Sequence, residues 1–148
     1  MAITLKEGDP APDFTATATD GSMITLSSFH GQQAVVLYFY PKDDTPGCTK
    51  EACSFRDNIG QFKQKGAAIL GVSTDDAASH QAFTQKFSLP FPLLVDESKT
   101  ISRAYGVLGL TGFAQRATFI IGKDGRIAKI FPQVHVDGHT AEVLSAIQ

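Results

Sequence analysis

The chain has 148 residues, 43% of them hydrophobic and 19% charged, which excludes a disordered or fibrous protein and suffices for one domain, residues 1–148, with a core needing no staples. A formal net charge of -2 and the lack of any Lys/Arg run exclude the electrostatic footprint of a nucleic-acid or anionic-membrane binder. The N-terminal MAITLKEGDPAPDF has no basic segment followed by a long apolar one, and no run reaches the roughly 18 apolar residues of a membrane span, so a cytoplasmic location is expected.

The first predicted strand is Ala34 to Tyr40 (AVVLYFY), nearly continuous in apolar character, as in strands covered on both faces. Thr45 is a natural N-cap and Pro46 a natural first helical residue. Cys48, Ala52, Phe55, Ile59 and Phe62 then recur at spacings of 4, 3, 4 and 3, one face of a helix that Gly66 ends and Gly60 weakens locally. Ala67 to Ser73 (AAILGVS) is the second strand, followed by a helix from Asp76 to Phe87 capped by Asp75 or Asp76. A short helix follows Asp96. Ala117 to Ile121 (ATFII) and Ile127 to Phe131 (IAKIF), joined by the turn signal GKDG, form an antiparallel hairpin, and Thr140 to Ile147 closes the chain as a helix. This order fits an α/β, thioredoxin-like fold with a mixed central sheet flanked by helices, and the pattern alone is also compatible with other small α/β folds.

Both cysteines of the chain, Cys48 and Cys53, lie in PKDDTPGCTKEACSF. In a reducing cytoplasm such a pair reads as redox-active or metal-bound rather than as a permanent staple. Loops at the carboxyl ends of strands are where ligands gather in open α/β sheets. Cys48 falls at N3 of the helix, where a cap hydroxyl normally finds its backbone N–H. The helix dipole and free N–H groups of the first turn favour negative charge there, and hence a nucleophilic thiolate. The neighbouring charges do not complete the site, because Lys42, Lys50 and Arg56 are offset by Asp43, Asp44 and Glu51; a cation from elsewhere in the fold would help. Cys53 lies about 140° around the helix, its Cα about 8 to 9 Å from that of Cys48. That exceeds the span of about 7 Å that a disulfide bridges, so a bond between the two requires a turn of helix to unwind.

The segment YFYPKDDTPGCTKEACSFRD resembles the active site of a peroxiredoxin, specifically the bacterioferritin comigratory protein or peroxiredoxin Q group. Pro41, Thr45 and Cys48 match P-x-x-x-T-x-x-C, with a second cysteine five positions on, and the likeness extends through GDPAPDF and RATFIIGKDGRI. The resemblance implies a thiol-dependent peroxidase reducing hydrogen peroxide and organic hydroperoxides. Cys48 would be the peroxidatic cysteine and Cys53 the resolving one, closing an intramolecular Cys48–Cys53 disulfide. Pro41 would shield the sulfur, Thr45 would hydrogen-bond the peroxide, Arg116 would supply the cation, and Glu51 would orient Arg116. Thioredoxin or glutaredoxin as reductant, a monomer, and no metal, flavin or haem cofactor are also implied.

Two competing readings remain open. A thioredoxin-type disulfide oxidoreductase shares the fold but uses C-x-x-C, against the four intervening residues here. A zinc-stabilised binding module would take Cys48, Cys53, His135 and His139, but the cysteine spacing is wider than a short zinc knuckle and Asp137-Gly138 marks a helix start. Surface or satisfied structural roles are expected for His30 and His80. Nucleotide binding has no support, since neither G-x-x-x-x-G-K-[ST] nor a G-x-G-x-x-G between strand and helix occurs.

Overall fold

The computed structural model describes residues 3–147. A small antiparallel hairpin of β1 (Thr15–Thr17) and β2 (Met23–Thr25) precedes the main sheet. That sheet contains β3 (Ala34–Phe39), β4 (Ala67–Ser73), β5 (Leu93–Val95), β6 (Ala117–Ile121) and β7 (Ile127–Phe131), in the order β5-β4-β3-β6-β7. β3, β4 and β5 run parallel, while β6 pairs antiparallel with both β3 and β7, so the sheet is mixed as expected. The helices are α1 (Pro46–Asp57), α2 (Ile59–Gln64), α3 (Ala77–Phe87), α4 (Thr100–Ala104) and α5 (His139–Ala146).

All six residues of β3 are buried, and their alternation divides them between two cores. Val35, Leu37 and Phe39 pack with Leu70, Phe119 and Tyr105 on one face. Val36, Tyr38 and the following Tyr40 pack on the other, with Cys48 and Phe55 of α1, Phe83 of α3 and Val143 of α5. Burial on both faces explains why AVVLYFY carries no polar alternation. It also sets α1 against the aromatic face of the central strand.

The single helix expected up to Gly66 is interrupted at Asn58, whose backbone leaves helical geometry at φ -115° and ψ 13°. The Asn58 side chain donates to the Ser54 carbonyl at 2.8 Å, and its N–H turns to Phe55 O instead. This is the local competition by which asparagine disfavours helix interiors. Ile59 and Phe62 of α2 still reach the same core, so the apolar period survives the break. The helix expected over Asp76–Phe87 begins one residue later, with Asp76 as its cap accepting from the Ser79 N–H at 2.8 Å. The GKDG turn forms as expected, with Gly125 at φ 79°, a left-handed conformation suited to glycine. β1, β2 and β5 have three residues each, too few for a period-two pattern to stand out.

Candidate active site

β3 ends at Phe39, and the loop from Tyr40 to Thr45 turns the chain into α1. Pro46 occupies N1, which places Cys48 at N3 in the first turn. β6 begins opposite this point, because Ala117 pairs with Phe39. Arg116, one residue earlier, therefore stands beside the start of α1, although 68 residues separate it from Cys48. Its Nη2 lies 3.2 Å from Cys48 Sγ and its Nη1 donates to Glu51 Oε1 at 2.7 Å. The guanidinium thus bridges the sulfur and a carboxylate one helical turn further along. Gly47 makes room for it, since a Cβ there would stand 3.1 Å from Arg116 Nη2.

The site is largely buried. Cys48 and Glu51 are each 2% exposed. Burial pushes the Glu51 carboxyl up to about 7, against the opposing pull of the Arg116 charge and hydrogen bond. Glu51 Oε2 and the Tyr38 hydroxyl have no hydrogen-bond partner among the described residues. Burial, followed by the nearby Glu51 and Cys48 charges, holds the Tyr38 phenol well above its ordinary value. Burial disfavours the charged form of Arg116, but Glu51 and Cys48 outweigh it and keep the guanidinium firmly protonated. A fixed cation in a largely buried site is a strong electrostatic partner for a sulfur anion and for charge developing on a departing oxygen.

Cys48, Arg116 and Glu51 are thus brought together. Thr45 is the N-cap as expected, with extended backbone (φ -92°, ψ 156°), but its hydroxyl makes no capping bond. Its Oγ1 donates instead to the Lys42 carbonyl at 2.9 Å, leaving the Cys48 N–H without that acceptor. Pro41 follows directly on Tyr40 at the mouth of the same loop and is half-buried. Cys53 is half-buried on the intact α1, and both cysteines are free thiols. The zinc ligand set is not assembled. His135 is exposed, and buried His139 is engaged through Nε2 with Thr118 Oγ1 and through Nδ1 with Glu142.

The charges around Cys48 do not simply offset one another, as their sequence order suggests. Lys50 pairs with Asp137 and Lys86 with Asp44, both at the surface, whereas Asp43 and Glu51 are buried. Asp43 belongs to a buried network that spans the loop and α3. Its Oδ1 accepts from the Tyr40 hydroxyl at 2.6 Å, and its Oδ2 lies 2.8 Å from Ser79 Oγ and 2.7 Å from His80 Nδ1. The only sequence trace of this network is a pair of acids, Asp43-Asp44, at the mouth of a helix, which reads equally well as solvated charge.

The AhpC/TSA family matches residues 7–130. Peroxiredoxin Bcp of Bacillus subtilis is 41% identical, over 99% of this chain and 97% of that protein. The structure of a cysteine-to-serine mutant of PrxQ from Xylella fastidiosa superposes with a TM-score of 0.91 at 35% identity, covering 97% of this chain and 96% of that one. The bacterioferritin comigratory protein of Xanthomonas campestris, studied for alkyl peroxide reduction, gives a TM-score of 0.88 at 33% identity, over 99% and 97% of the two chains.

Proposed function

The chain belongs to the AhpC/TSA family, in its Bcp and peroxiredoxin Q group, and is a thiol-dependent peroxidase; we propose that Cys48 is its peroxidatic cysteine and Cys53 its resolving cysteine. The observation that carries the residue assignment is the Arg116 guanidinium, 3.2 Å from Cys48 Sγ and itself anchored by Glu51. In the proposed reaction the Cys48 thiolate attacks one peroxide oxygen. The O–O bond breaks, sulfur is oxidised to a sulfenic acid, and the departing oxygen takes a proton to leave as water or an alcohol. Arg116 and the free N–H of Cys48 stabilise the charge as it passes from sulfur to that oxygen, while Pro41 and Thr45 border the approach.

The Cys53 thiol then displaces water from the sulfenic acid to form the Cys48–Cys53 disulfide. On the intact helix their Cα atoms are about 8 to 9 Å apart, so this step proceeds through local unwinding of α1. An external dithiol, thioredoxin or glutaredoxin, restores both thiols by exchange. The likeness to the Xanthomonas campestris protein supports organic hydroperoxides as substrates beside hydrogen peroxide. The same reading has the chain acting as a monomer in the cytoplasm, as one domain.

The test is an NADPH-coupled peroxidase assay with thioredoxin or glutaredoxin on the wild type, Cys48→Ser and Cys53→Ser. Cys53→Ser should perform one rapid peroxide reduction and then lose reductant-supported turnover, whereas Cys48→Ser should lose both. Full turnover by Cys48→Ser would reject the assignment.

A further inference from the structure

His80, on α3, is completely buried. Its Nδ1 lies 2.7 Å from Asp43 Oδ2 and its Nε2 lies 2.8 Å from the Leu94 carbonyl oxygen on β5. A neutral imidazole has one N–H, so it would turn a lone pair towards one of these two acceptors; two donors are needed to satisfy both. Asp43 is correspondingly arranged as an anion. The Tyr40 hydroxyl donates to its Oδ1 and the Ser79 hydroxyl to its Oδ2, so three donors converge on one carboxylate. The Asp43 N–H in turn donates to Asp75 Oδ2 at 2.9 Å, which also accepts from Ser73 Oγ at 2.6 Å.

From this geometry we propose that His80 is a positioning residue for the peroxide reaction: an imidazolium that, paired with Asp43, clamps the loop carrying Pro41 and Thr45 against α3 and β5. The clamp grips the centre of the loop. Tyr40 ties its beginning to Asp43, and the Thr45 hydroxyl ties its end to the Lys42 carbonyl, one residue from Asp43. Loss of the ring proton would leave a carbonyl facing a lone pair and a buried carboxylate without its cation, and the loop would relax.

Among the described residues, Asp75 and Tyr40, whose ring centroid is 6.5 Å from that of His80, also face the imidazole. Burial disfavours the proton, but the Asp43 hydrogen bond and charge, the Leu94 carbonyl and Asp75 together hold the His80 pKa above its ordinary value. Ligand-type atoms of Asp43, Asp75 and His80 lie within 4.8 Å of one another, as at a cation site. Here a proton on Nδ1 takes the lone pair that a metal would need.

The clamp acts on the folded site, so it bears on attack by the Cys48 thiolate and not on exchange with the reductant after α1 has unwound. It rests on the reading of Cys48 as the peroxide nucleophile, and the two are separable by experiment. Nitrogen-15 NMR of histidine-labelled, reduced wild type reads the ring directly, and both His80 nitrogens should carry protons at neutral pH. Stopped-flow oxidation by hydrogen peroxide should be about ten- to a hundredfold slower for His80→Gln, the range expected when a reacting geometry loosens by a fraction of an ångström to an ångström. Reduction of its Cys48–Cys53 disulfide by thioredoxin should proceed at the wild-type rate.

Asp43→Asn serves as the second variant and should release the His80 proton at neutral pH, with a comparable loss of rate. A single-proton tautomer in the wild type, stoichiometric metal bound at His80, or a His80→Gln variant as fast as the wild type would overturn the proposal. If both variants fail to fold, the wild-type spectrum still decides. A wild type inert to peroxide would strike the functional reading itself, whereas a fast wild type with an equally fast His80→Gln strikes only the clamp.

Discussion

Replacing Glu51 by glutamine separates the two things this carboxyl does. In the folded protein it is buried, with Oε1 2.7 Å from Arg116 Nη1 and Oε2 without a partner among the described residues. Burial raises its pKa from the usual 4.5 to about 7 despite the guanidinium. Between those values the folded protein retains a proton that the unfolded chain has released, so stability falls as pH rises through the window. At about 1.4 kcal/mol per pKa unit, the gap between 4.5 and about 7 sets a ceiling of about 3 kcal/mol on that loss. Glutamine keeps an acceptor for Arg116 and does not titrate. Urea unfolding of both proteins at about pH 5 and about pH 8 should therefore show the wild type losing roughly 1 to 3 kcal/mol relative to Glu51→Gln. His80 and His139 titrate in both proteins and cancel in the difference. Parallel stability profiles would refute the reasoning. Above about pH 7, where the wild-type carboxyl is an anion, the variant should also reduce peroxide several-fold more slowly, because Arg116 keeps an acceptor but loses the charge that orients it.

Gly47→Ala places a Cβ 3.1 Å from Arg116 Nη2, so the guanidinium must shift by a few tenths of an ångström. Peroxide reduction should slow about ten- to a hundredfold while melting changes little, and an unchanged rate constant would show that the Cys48–Arg116 contact is not needed for catalysis. Oxidation to the Cys48–Cys53 disulfide should abolish amide protection across residues 49–55, where helical hydrogen bonding begins with the Thr49 N–H on the Thr45 carbonyl, and lower the helical circular dichroism, reversibly on reduction. Protection that persists in the oxidised protein would contradict unwinding of α1.

Several elements are legible in the chain because their signals are local. AVVLYFY, AAILGVS, ATFII and IAKIF become β3, β4, β6 and β7, and GKDG joins the last two. Their apolar character outweighs any alternative. The break at Asn58 is less visible, because α2 buries the same face and the apolar period runs on through it. β5 gains its identity by pairing with Gly71, Val72 and Ser73 of β4, a property of the assembled sheet rather than of LLV.

At the site, PKDDTPGC by itself determined where α1 begins and that a thiol sits in its first turn, since Thr45, Pro46 and helix geometry settle these within a few residues. Spacing within one helix likewise determined that Cys48 and Cys53 cannot meet while it is intact. Only the tertiary structure decided which charges count. Arg116 reaches Cys48 because β6 pairs antiparallel with β3, and Asp43 meets His80 because α3 follows a strand parallel to β3. Which acid is solvated and which is buried depends on surfaces contributed by residues tens of positions away. Sequence order carries no record of that burial, and burial sets the strength of a charge.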